Sequence, residues 1–179
     1  MDLPILADAT LDVTINAPVD SIDLTDWVFG ITDAEYQACS VNHIAAAATR
    51  TADGKRMSIN IERVGRLIVE HYVEDIADRA HCRLISVSEA FGPGVDDRGQ
   101  LGVLWEFSIE AVDDTTTTFT NHVQVSAVAG FEESLRQQGA TLEQVQQRTA
   151  AALVPHNAEE TPLFAKDIER KALAGRWQQ

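Results

Sequence analysis

The chain has 179 residues, 45% of them hydrophobic, enough for one domain over residues 1–179 with a sizeable core. Its 28 acidic and 14 basic residues give a formal charge of −14, which disfavours nucleic acid and anionic membrane surfaces as partners. No run of eighteen apolar residues is present to span a membrane, and Met1-Asp2-Leu3-Pro4 lacks the basic and apolar start of a secretory signal. Cys39 and Cys82 have neither metal-type spacing nor a disulfide framework. They read as two small buried hydrophobes in a reducing cytoplasm.

Taken in order, Leu11–Ala17 alternates apolar and polar residues and ends at Pro18, as a half-buried strand does. Ser21–Trp27 and Asp33–Cys39 read as short helical turns, the second capped by Thr32 or Asp33. His43–Thr51 and Arg56–Val64 flank Asp53-Gly54, a favoured two-residue turn pair, and predict a hairpin. Leu67–Glu74 and Cys82–Glu89 follow as strands, then a Gly-rich loop over Gly92–Gln100. Leu101–Val112 and Thr116–Ala127 pair across Asp113-Asp114. Strands joined by short turns make an antiparallel meander.

Phe131–Gln138 predicts a helical turn closed by Gly139, and Thr141-Leu-Glu-Gln144 is a capping box that opens a long helix to Leu173. Pro155 and Pro162 interrupt it. The unbroken apolar phase favours one kinked helix, while Thr161-Pro162 is also a fitting start for a fresh one. Thr149 and Leu153 lie on its apolar stripe, and so do His156 and Glu160, stacked one turn apart. Ionisable groups on a buried face need partners.

Candidate walls of a pocket come from the strands. Val103, Trp105, Phe107 and Ile109 share a face, as do Phe119, Val123 and Val125 with Asn121. Two polar residues fall in line with apolar ones: His71 with Leu67, Val69 and Val73, and Arg63 with Met57, Ile59 and Ile61. They are therefore expected inside. Glu106 and His122 alternate with the apolar set and face solvent unless a bulge intervenes. Asp96-Asp97 and Asp113-Asp114 read as turn formers.

This order of elements resembles the helix-grip fold of the Bet v1/START-like (SRPBCC) superfamily over residues 9–174, with Thr10-Leu-Asp-Val-Thr-Ile-Asn-Ala-Pro18 the most typical phrase. Residues 20–40 depart from the usual pattern, since the paired helices look shortened. The resemblance implies an α+β fold: a curved seven-stranded antiparallel sheet wrapped around the C-terminal helix, with a cavity for an apolar ligand between them. A second resemblance, to the 2,4-diacetylphloroglucinol and phloretin hydrolase group of that superfamily, implies zinc. Its ligand order of His, Glu and then His-x-x-x-Glu is offered here by His71, Glu106 and His156–Glu160.

Three readings follow. The first is a protein that binds a small hydrophobic, aromatic or polyketide-like molecule. The second is a zinc-dependent hydrolase or cyclase in which His156 and Glu160 act on such a molecule. The third is a filled-core structural or interaction module. The expected partners are a small hydrophobic molecule and, at most, a second copy of the chain as a homodimer.

Overall fold

The computed structural model describes residues 3–92 and 98–178. The expected loop over Gly92–Gln100 thus lies largely outside the described residues, and Asp96-Asp97 lies wholly outside them. Strand β1 (Ile5–Ile15) is followed by α1 (Leu24–Gly30) and α2 (Asp33–Gln37). Then come β2 (His43–Arg50), β3 (Arg56–Val64), β4 (Arg66–Ala77), β5 (His81–Phe91), β6 (Arg98–Ala111) and β7 (Thr117–Ser126). Helices α3 (Phe131–Gln138) and α4 (Leu142–Leu173) complete the chain. The strands form a 7-stranded sheet in the order β1-β7-β6-β5-β4-β3-β2, antiparallel at every junction.

Local chemistry sets the element ends. Asp23 caps α1 by accepting from the Asp26 N–H, and Thr32 with Glu35 forms a full capping box on α2. Gly65, at φ 69°, turns the chain between β3 and β4, where a residue with a Cβ would be strained. The β2–β3 hairpin forms as expected, with a longer turn than Asp53-Gly54 alone: Arg50 pairs with Arg56, and residues 51–55 make the connection. Gly54 takes its left-handed position.

Helix α4 runs unbroken through Pro155 and Pro162, so no second helix starts at Thr161. Its buried residues include Leu153, His156, Asn157, Glu160, Phe164 and Ile168, the face turned towards the sheet. Beneath its second half lies a solid aromatic cluster. Trp27 meets Phe107, Phe119 and Phe164 edge-on at centroid distances of 5.4, 6.4 and 5.2 Å. Its indole N–H donates to Asp167 of α4 at 2.9 Å, which fixes α1 to the helix. Among the described residues no helix is long and apolar enough to cross a membrane.

The inner face of the sheet is divided. On β6 and β7, Val103, Trp105, Phe107, Ile109, Phe119, Val123 and Val125 are buried, as the alternation predicts. On β3 and β4 the buried positions are instead Ser58, Asn60, Glu62, Ile68, Glu70 and Tyr72. The bulky residues Met57, Ile59, Ile61, Val69 and Val73 lie on the outer face, half-buried against one another across the strands. The placement of His71 and Arg63 is corrected accordingly. His71 sits on the outer face opposite Ile59, and Arg63 is exposed opposite Leu67.

Candidate functional site: a buried histidine–glutamate ring

Four side chains meet under the middle of α4. His43 and Glu62 stand directly opposite each other on β2 and β3, beside a register shift between His43 and Ala45. A bulge there gives β2 an extra residue and turns the imidazole inward while its neighbours keep their alternation. His156 and Glu160 reach down from α4, one turn apart. All four are buried.

Their ligand-type atoms form a ring in which imidazole and carboxylate alternate. His43 Nε2 lies 3.1 Å from Glu160 Oε2 and 3.6 Å from Glu62 Oε2. His156 Nε2 lies 3.2 Å from Glu62 Oε2 and 3.3 Å from Glu160 Oε2. Among the described residues, ion pairs to either carboxylate come only from these two histidines.

The outer partners set the orientation of the ring. His43 Nδ1 is 2.7 Å from the Tyr36 carbonyl oxygen, and a carbonyl only accepts, so Nδ1 carries a proton. In the neutral ring Nε2 is then a bare lone pair aimed at two carboxylate oxygens. A proton or a metal cation must sit there to make the contact favourable. Tyr36 also stacks on His43 with centroids 3.8 Å apart, and its hydroxyl donates to Glu62 Oε2 at 3.1 Å. Asn121 donates to Glu160 Oε1 at 3.3 Å and accepts from the Trp105 indole N–H at 3.0 Å. His156 Nδ1 is buried with no hydrogen-bond partner among the described residues.

The charges divide unevenly. Burial works against a charged His156, yet the hydrogen bonds it donates to Glu160 and Glu62 outweigh it and lift the imidazole to about 10. Burial also opposes ionised Glu160, but His156 and His43 hold its carboxyl below the usual range. Glu70 goes the other way. Burial first, then the nearby charge of Glu62, pushes it well above the ordinary carboxylate value.

A cavity of about 740 Å³ opens beside the ring. Ile68, Leu101, Val103, Val123, Val125 and Leu153 give it apolar walls, while His156, Glu160, Glu62 and Glu70 give it a polar end. Of the residues expected to line it, Trp105, Thr149 and Leu153 do so. Phe107 and Phe119 do not; they are fully buried in the aromatic cluster. Asn121 sits behind the wall, braced against Thr161 at 2.9 Å.

Of the expected metal set His71, Glu106, His156 and Glu160, the fold brings together only the last two. Glu106 lies on the outer face, 2.7 Å from His81 and 3.3 Å from His122. His43 and Glu62 complete the ring: alternation that points the apolar face of β3 inward hides Glu62, and His43 is turned in beside a register shift that local sequence does not mark. The signal lay in Ser58, Asn60 and Glu62, a polar period-two set one residue out of phase.

The residues present suit a zinc-type divalent ion. Ligands about 2.0–2.1 Å from such an ion lie a little over ~3 Å from one another, and the imidazole–carboxylate contacts that join Glu62 and Glu160 to the two histidines have about that length. His43, Glu62 and His156 each offer an atom within 4.8 Å of the other two. The Nδ1–H bond of His43 to a backbone carbonyl is the usual support of a metal-bound imidazole. Two carboxylates and two neutral imidazoles would also balance a dication.

Neither a protein-family model nor a curated protein sequence matches the chain. Comparison with solved structures shows the helix-grip fold of START-like proteins. The aromatase/cyclase Zhui of Streptomyces sp. R1128 superposes with a TM-score of 0.64 at 15% identity, covering 92% of this chain and 94% of that one. A START superfamily protein of Mycobacterium smegmatis matches with a TM-score of 0.52 at 13% identity, covering 91% and 97%. The di-domain aromatase/cyclase StfQ of the steffimycin biosynthetic pathway matches at 0.59 and 8%, covering 93% of this chain and 52% of its own.

Proposed function

We propose that this protein is a zinc-type metal-dependent enzyme acting on a small, mostly apolar, polyketide-like molecule held between sheet and helix. The observation that carries this is the His43–Glu160–His156–Glu62 ring beside the cavity. The hydrolase group's order of His, Glu and His-x-x-x-Glu is matched by His43, Glu62, His156 and Glu160 as they lie in space. Structural likeness to aromatase/cyclases supports the ligand class, and a largely apolar cavity with a polar end between sheet and helix suits such a molecule.

A divalent ion on these four residues would polarise a carbonyl or acidify a bound water. The protein does the rest. Tyr36 and Asn121 hold the two carboxylates, Trp105 and Leu153 shape the wall, and the apolar lining keeps bulk water from the reacting end. Without an ion, the same ring supports a second reading. His156, charged between two carboxylates, would be a proton-handling group for cyclisation or ligand binding.

Elemental analysis of purified protein separates the two. About one zinc per chain is expected, falling below about a tenth in His43→Ala and in Glu62→Gln, because a four-ligand site rarely survives the loss of one. Glu106→Gln should retain the full complement. No zinc after supplementation, or equal zinc in His43→Ala, removes the metal reading.

A further inference from the structure

Glu70 plays no part in the ring, yet it is a buried carboxyl on the cavity wall. Its inner-face position on β4 is opposite Asn60, so Glu62 is its diagonal neighbour on β3. Among the described residues no lysine, arginine or histidine lies within ion-pair distance of it. The Tyr72 hydroxyl donates to Oε1 at 2.9 Å, and Tyr72 is itself packed against Trp105 with centroids 5.1 Å apart. Among the described residues nothing donates to Oε2, and Glu70 lines the cavity, where that oxygen is open to a guest.

A carboxylate there would be desolvated with one hydroxyl donor and no cation at ion-pair distance. A carboxyl that keeps its proton avoids that cost and turns Oε2 into a donor. Burial and the neighbouring carboxylates push the titration of Glu70 in the same direction. The polar end of the cavity therefore offers a donor on a neutral group beside the carboxylates of the ring. It suits an uncharged ketone or hydroxyl oxygen and rejects a carboxylate.

We propose that Glu70, carrying its own proton and held by Tyr72, donates a hydrogen bond from Oε2 to an uncharged oxygen of the molecule in the cavity and so selects neutral ligands over anionic ones. This rests on the cavity being a ligand site, as in the function proposed above, and does not require the metal.

Two probes on one naphthalene frame test it on the intact protein: neutral 2-naphthol and anionic 2-naphthoate, with binding followed by fluorescence. Wild type should prefer 2-naphthol by about ten-fold or more, the scale of one buried neutral hydrogen bond plus charge rejection. Glu70→Gln, which keeps a donor and an acceptor, should hold 2-naphthol within about three-fold, whereas Glu70→Leu should lose about ten-fold. The infrared difference spectrum of wild type minus Glu70→Gln at neutral pH should show the carbonyl band of a protonated carboxyl, displaced when 2-naphthol is added.

Equal affinity for the two probes, no binding of either, Glu70→Gln as weak as Glu70→Leu, or absence of the band overturns the proposal. The band and the Glu70→Gln comparison decide it even if Glu70→Leu does not fold. Stoichiometric zinc with no 2-naphthol preference fails this inference alone. A 2-naphthol preference in zinc-free protein fails the metal reading alone.

Discussion

The two halves of one sheet face the same helix and do opposite things. On β6 and β7 the inner positions are mostly aromatic and aliphatic: Phe107 and Phe119 pack with Trp27 and Phe164 into a solid cluster, while Val103, Val123 and Val125 wall the cavity. On β2 to β5 the inner positions carry His43, Ser58, Asn60, Glu62, Glu70, Tyr72, Ser86 and Ser88, all buried. The first half stabilises by burying area. The second half spends stability on desolvated polar groups and is tolerable because nearly every one is hydrogen-bonded. A site is built where the sheet departs from the rule that apolar residues face inward.

Substitutions should separate the halves, beyond the loss of zinc expected for His43→Ala. The largest stability effect belongs to the aromatic half. Phe107→Ala removes a fully buried ring and should cost about 3–5 kcal/mol by denaturant unfolding while leaving zinc content unchanged. If zinc were lost as well while the protein remained folded, the two halves would not be separate.

At their boundary, Asn121→Leu strips the partner from the Trp105 indole and from Glu160 Oε1. About 1–3 kcal/mol of stability should go, with a fall of about 10–100-fold in zinc affinity by chelator competition. An affinity equal to wild type would show that Asn121 does not orient Glu160.

A smaller effect tests the contact of α2 with the end of α4, where Lys171 donates to Glu35. Burial alone would raise Glu35, but the Thr32 N–H and the Lys171 ammonium hold its carboxyl at about 2. A depressed native value means that the stabilisation is complete above the ordinary carboxylate range and is lost as pH falls towards 2. Glu35→Gln should therefore cost about 1 kcal/mol at pH 7, discounted for partial exposure. Its melting curve should converge with that of wild type by about pH 2, whereas a gap constant across pH would point to lost packing instead. Smallest of all, His71→Ala on the outer face should change stability by no more than about 0.5 kcal/mol and leave zinc unaltered. A loss of zinc there would mean that the outer face of β4 contributes to the ring after all.

Several features were legible before any coordinates. Strand alternation, an N-cap at Thr32, the Thr141–Gln144 capping box and the apolar stripe of α4 each rest on neighbours in the chain, so local sequence carries them. His156 and Glu160 were readable for the same reason, since their spacing of four is a property of one helix. Period-two patterning gave the two faces of β3 and β4 correctly as sets and assigned the wrong one inward.

That assignment is where sequence stops. Which face of a strand meets the helix depends on what lies across the cavity, and on β3 the polar set turns inward because His43, His156 and Tyr36 are there to pair with Glu62. The bulge at His43, the carbonyl of Tyr36 that fixes its tautomer and the meeting of positions 43, 62, 156 and 160 are long-range facts. The sequence by itself determined the elements, their order and one helical pair of ligands. Only the tertiary structure decided the ring, because desolvated charges are tolerated only where the fold brings their partners to them.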